Sequence, residues 1–137
     1  MTAATADRNT AERTGDLITA GVTAAKTCFA GTIAVLDSAG NIKPGVTGTG
    51  LICVGRFEAY VDNSAGSAGD VNATAKRGVF RFANSSSTDA ISADEVGDTC
   101  YIVDDQTVAK TDGTGTRSAA GVIVDVDSAG VWVRMGI

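Results

Sequence analysis

From Leu17 onward, apolar residues fall in short runs broken by Gly, Asp, Asn and Ser, the spacing of strands between turns. The pattern predicts strands near residues 17–22, 32–37, 51–61, 71–82, 98–103, 108–110, 121–126 and 131–137. Helical periodicity is weak throughout, and only residues 90–96, "AISADEV" without its neighbours, suit a single helical turn. Turn chemistry repeats: "LDSAGNI" at 36–42 and "VDSAGVW" at 126–132 share Asp-Ser-Ala-Gly between apolar flanks. An aspartate that accepts from the backbone two residues on, followed by a glycine free to take positive φ, closes a short hairpin. "YIVDDQTVAK" reads as a third hairpin turning on Asp104, Asp105 and Gln106, and residues 61–71 as a longer connection. The expected fold is all-β: a small antiparallel β-barrel or sandwich.

Alternation also assigns faces. If Val131, Val133, Met135 and Ile137 point inward, Trp132 and Arg134 point outward. A tryptophan beside an arginine on an outer face suits a protein interface, where both are enriched. A barrel covered on both faces, or a tryptophan capping an open end, accounts for the same pattern. In "KRGVFRFAN", Val79 and Arg81 share one face and Phe80 and Phe82 the other; buried phenylalanines with an exposed arginine are expected.

The first sixteen residues, "MTAATADRNTAERTGD", break from this picture, because their only large apolar side chain is Met1. Residues 1–16 therefore read as an extended N-terminal arm and 17–137 as a single β domain. Fixing sixteen residues costs about 16–32 kcal/mol of backbone entropy, and this segment has little apolar surface to offset it. It orders only against a partner that supplies backbone hydrogen bonds and pairs Asp7, Arg8, Glu12 and Arg13, as when a strand adds to a sheet edge. Composition leaves the alternative open: a frayed terminus without a role.

Composition narrows the chemistry. The 137 residues suffice for one domain, and with 44% hydrophobic but 5% aromatic content the core must be Val, Ile, Leu and Ala. A net charge of −5 without a basic cluster argues against nucleic-acid binding. No apolar run nears the length of a membrane span, and no signal-peptide pattern opens the chain, so the expectation is no membrane and synthesis in a cytosol. Cys28, Cys53 and Cys100 lie in apolar segments and read as buried core thiols rather than a disulfide or reactive site. The absence of histidine removes Ser-His-Asp and Cys-His catalysis and histidine-ligated metals. "TGTGLICVG" lacks a Walker lysine and a dinucleotide fingerprint. "DVDSAG" at 125–130 starts like a calcium loop, but Ala129 and Gly136 stand at ligand positions, so it reads as a hairpin turn. Asp104 and Asp105 are placed with no partner for acid–base work. The reading is of a protein that is not an enzyme, with no cofactor and no metal.

A resemblance covers essentially the whole chain. "DRNTAERTGD" leads into "AGTIAVLDSAGNIKPG" and "GLICVGRFEAYVDNSAGSAGDV", then "RGVFRFANS" and "GDTCYIVDDQTVAKTDGTGTRSAAGVIVDVDSAGVWVRM". The order of these short motifs resembles the capsid cement, or decoration, proteins encoded near the head genes of tailed bacteriophages and prophages. That resemblance implies a structural virion protein, made in the bacterial cytoplasm, that coats the outer surface of an expanded head. It implies the major capsid protein as partner, self-association as a homotrimer, and an arm that orders on the capsid. On this reading Thr5, Asp7, Arg8, Asn9, Thr10, Glu12 and Arg13 form the capsid-contact arm, and Trp132 and Arg134 a candidate protein interface. A free-standing β-barrel module that binds a small molecule, a glycan or a tail component is the alternative; it requires a monomer with a concave, aromatic-lined site.

Overall fold

A computed structural model describes residues 2–137. Twelve strands form among them: β1 (Leu17–Gly21), β2 (Lys26–Cys28), β3 (Ile33–Leu36), β4 (Ile42–Pro44), β5 (Ile52–Phe57), β6 (Val61–Asn63), β7 (Asn72–Lys76), β8 (Gly78–Asn84), β9 (Thr99–Ile102), β10 (Thr107–Ala109), β11 (Ala119–Asp127) and β12 (Gly130–Met135). The fold is all-β. An open sheet runs β1-β7-β5-β3-β4, a closed barrel runs β10-β8-β12-β11-β9, and β2 pairs with β6. Strand pairs are antiparallel except β10 with β8.

The repeated turn tetrapeptides behave alike. Asp37 Oδ1 accepts from the Ala39 and Asn41 amides, and Asp127 Oδ1 accepts from Ala129 and Gly130. Gly40 and Gly130 take φ of +81° and +154°. The "DVDSAG" stretch is thus the β11–β12 hairpin turn.

Two apolar clusters meet at the sheet. Along β3 the side chains alternate: Ile33 and Val35 join the barrel cluster with Ile102, Ile123, Val131 and Val133, while Ala34 joins Val22, Ile42, Val54 and Phe57 on the other side. In β5 the alternation breaks once. Gly55 pairs with Ala34 and Cys53 with Val35, leaving Val54 as the extra residue of a bulge. This phase shift returns Phe57 to the face of Val54 and releases Arg56 to the other side.

Several expected elements differ. The strand expected over 71–82 is two strands separated by Arg77, which carries the chain from the open sheet into the barrel. The strand expected over 51–61 ends at Phe57, and β6 starts separately at Val61. The pattern gave no sign of β2, and β4 was only implied by the turn before it; each is three residues, too short to show a period. Ile137 was expected inside but is exposed, because Gly136 takes φ +102° and ends the alternation after Met135. The helical turn expected over 90–96 is a single 3-10 turn, Ala93–Glu95, closed by a Ser92–Glu95 capping box.

Candidate interaction surface

Strands β8 and β12 build the face on which the predicted interface residues sit. Their register pairs Val131 with Phe82, Trp132 with Arg81, Val133 with Phe80 and Arg134 with Val79. Val131, Val133, Met135 and Phe82 are buried in the barrel, so the alternate positions Val79, Arg81, Trp132 and Arg134 line its outer surface. Strand β11 extends the two rows. Val122 lies beside Arg134, and a bulge after Ile123 sets Asp125 beside Trp132.

Trp132 is half-buried and held from two sides. Its Nε1–H donates to Asp127 Oδ2 at 2.9 Å, and the Arg81 guanidinium lies 5.6 Å from the ring centroid. Arg81 also reaches Asp127 at 3.9 Å. The indole hydrogen bond, then the Ala129 amide, keep the Asp127 carboxyl below its ordinary range despite slight desolvation. A second unit of the same kind stands beside it. Arg56 lies 4.3 Å above the half-buried Phe80 ring and is fixed by Glu58 at 2.8 Å. A depression of about 540 Å³ runs between the two units, with Arg56, Phe80, Arg81 and Trp132 among its walls. Each arginine here is pre-oriented by a carboxylate and a ring, which lowers the entropy lost when a partner binds.

The arm residues lie elsewhere. Thr5, Asp7, Arg8, Asn9, Thr10, Glu12 and Arg13 are exposed and outside any helix or strand. Among the described residues no hydrogen bond or ion pair ties Thr5, Asp7, Arg8, Asn9, Thr10 or Glu12 to the body. Arg13 lines a depression at the root of the segment with Leu17 and Arg77. The structure brings Trp132 and Arg134 onto one face; it does not bring residues 5–12 to it. Arg56 and Arg77 were not marked by the sequence. The "VGR" run marks a strand, but only the Gly55 bulge turns Arg56 onto Phe80, and that depends on pairing with β3.

The remaining chemistry-bearing residues stand apart. Burial pushes the thiols of Cys28 and Cys53 up to about 11 and that of Cys100 up to about 12, and all three are free. Asp105 is raised by burial and then by its neighbour Asp104, whose side chain accepts from the Gln106 amide in the turn. Among the described residues no group of three His, Cys, Asp or Glu side chains could hold a metal ion, and no helix is long and apolar enough to cross a membrane. What the surface offers is oriented arginines, aromatic rings and carboxylates. No family model, curated protein or solved structure matches the chain.

Proposed function

We propose that this chain is a cement protein of a tailed-phage head, seated on the outer surface of the capsid and bridging neighbouring major capsid subunits. The observation that carries the reading is the leader: residues 2–14 hold no large apolar side chain and are exposed and outside any helix or strand, ahead of a β body with a buried apolar interior. Such a segment adds nothing to the body's own stability and is available to order on a partner. Several copies held together, as in a homotrimer, let individually weak arms hold firmly through effective concentration. The pre-oriented arginines beside Phe80 and Trp132 supply a second, rigid contact. The protein is then made in the bacterial cytoplasm and ends in the virion.

The test uses expanded heads lacking cement protein. The full chain is expected to co-sediment with them and raise their resistance to heat. Deletion of residues 2–12, which spares Arg13 and the contacts of Asp16 with Arg77, is expected to leave a folded body, with its thermal midpoint within a few degrees, that no longer binds. Undiminished binding by the truncated chain removes the arm from the mechanism, and failure of the full chain to bind overturns the assignment.

A further inference from the structure

Arg77, the one residue between β7 and β8, is the knot at the seam of sheet and barrel. Its amide donates to the Asp16 carbonyl at 2.9 Å, and its guanidinium reaches the Asp16 carboxylate at 3.8 Å and the Ile137 carbonyl oxygen at 3.4 Å. Gly136 closes against it so tightly that a Cβ there would stand 2.3 Å from Arg77 Cβ. The root of the leader is therefore fixed to this seam, whatever its outer residues do.

Two depressions, of about 270 and 370 Å³, meet at Asp16 and Arg77. Their walls carry three of the molecule's exposed large apolar side chains: Leu17 at 48%, Val79 at 42% and Ile137 at 64% exposure. Apolar groups gathered around one point mark an interaction site in a way that scattered ones do not. The charges around them run against the rest of the chain. The protein carries −5 overall, yet the side chains of this seam include Arg13, Arg77 and Arg134 against one acidic side chain, Asp16. Arg77 is paired with Asp16, whereas among the described residues Arg13 and Arg134 have no ion-pair partner. The cross-strand neighbours of Arg134, Val79 and Val122, are apolar.

We infer that this seam is the seat for a segment of the leader's protein partner, one with an apolar centre and flanking carboxylates. The inference rests on the capsid reading above and names the face and the partner chemistry. The apolar centre buries Leu17, Val79 and Ile137, and the carboxylates pair with Arg134 and Arg13. Because the leader starts from the same seam, one partner segment takes the leader and the seam together.

Co-sedimentation with expanded, cement-free heads tests it, using Arg134→Glu, Arg134→Lys, Val79→Asp and, as a control on β2, Lys26→Glu. Arg134 is exposed and unpaired, so its variants keep the fold, checked by an unchanged thermal midpoint; should Val79→Asp unfold, the Arg134 pair decides. Arg134→Glu is expected to weaken binding by more than fivefold, with Arg134→Lys and Lys26→Glu within that limit. Arg134→Glu inside fivefold of the unsubstituted chain, or Lys26→Glu losing as much, overturns the seat alone. A change of oligomeric size in Arg134→Glu by light scattering assigns the seam to a second copy of this chain and also overturns it. If the unsubstituted chain fails to sediment with heads, the capsid reading falls and this inference with it.

Discussion

Asp127 concentrates the surface chemistry in one side chain. One carboxylate oxygen takes the Trp132 indole N–H and faces Arg81, while the other closes the turn through the Ala129 and Gly130 amides. These bonds favour the ionised form, led by the one from Trp132, and hold its pKa below the ordinary aspartate value of 3.8. A carboxyl depressed in the folded state contributes stability at pH above its unfolded value and loses it as pH falls through the folded value. Trp132 is the only tryptophan of the chain, so its fluorescence reports the event directly. Acid titration is expected to change that fluorescence with a midpoint below 3.8, and Asp127→Asn to abolish the change. A midpoint at or above 3.8, or an unaltered titration in the variant, would show that the carboxylate does not hold the indole.

At the level of elements, the Gly55 bulge decides which side of the sheet β5 presents. Gly55 takes φ +131°, and a Cβ there would stand 2.1 Å from the Lys76 carbonyl oxygen, a backbone atom with no freedom to withdraw. Gly55→Ala therefore opposes both conformation and space, and is expected to cost on the order of 4 kcal/mol, measured by urea unfolding. An alanine variant within about 1 kcal/mol of the parent would mean that the bulge relaxes at little cost. The bulge also shows where the sequence stops being legible. Alternation along a single strand put Trp132 and Arg134 on the face opposite Val131 and Val133 but left open what covers that face, and the Asp-Ser-Ala-Gly turns were recognisable because their bonds are local. The release of Arg56 onto Phe80, the parallel pairing of β10 with β8 and the closure of five strands into a barrel depend on partners far along the chain. Strands β2 and β4 are too short for a period. Pro44 in β4 is tolerated because that strand is an edge of the sheet. The division at Arg77 falls where Lys76, Arg77 and Gly78 interrupt the apolar positions and the buried set shifts from Ala73 and Ala75 to Phe82, but only the change of sheet shows that the break is a boundary.

Over the whole molecule, the two apolar clusters share their supporting strands. Ile33 and Val35 face the barrel from β3 while Ala34 faces the other way, and Cys53 and Val54 divide in the same manner on β5. Removing one cluster withdraws the backing from alternate residues of the strands that build the other. The sheet and the barrel are therefore expected to melt together, although each has its own hydrogen-bonded ladder. This matters for the segment ahead of β1, because Arg77 holds Asp16 in place only while both halves stand. Ile33→Val trims the barrel side and Ile42→Val the opposite side, each at a fully buried position and each expected to cost about 0.5–1.5 kcal/mol. Scanning calorimetry is expected to show one transition in the parent and in both variants, displaced downward by a few degrees. Two resolved transitions, with Ile33→Val moving one and Ile42→Val the other, would establish independent halves and leave the leader's root on a joint that opens before the protein unfolds.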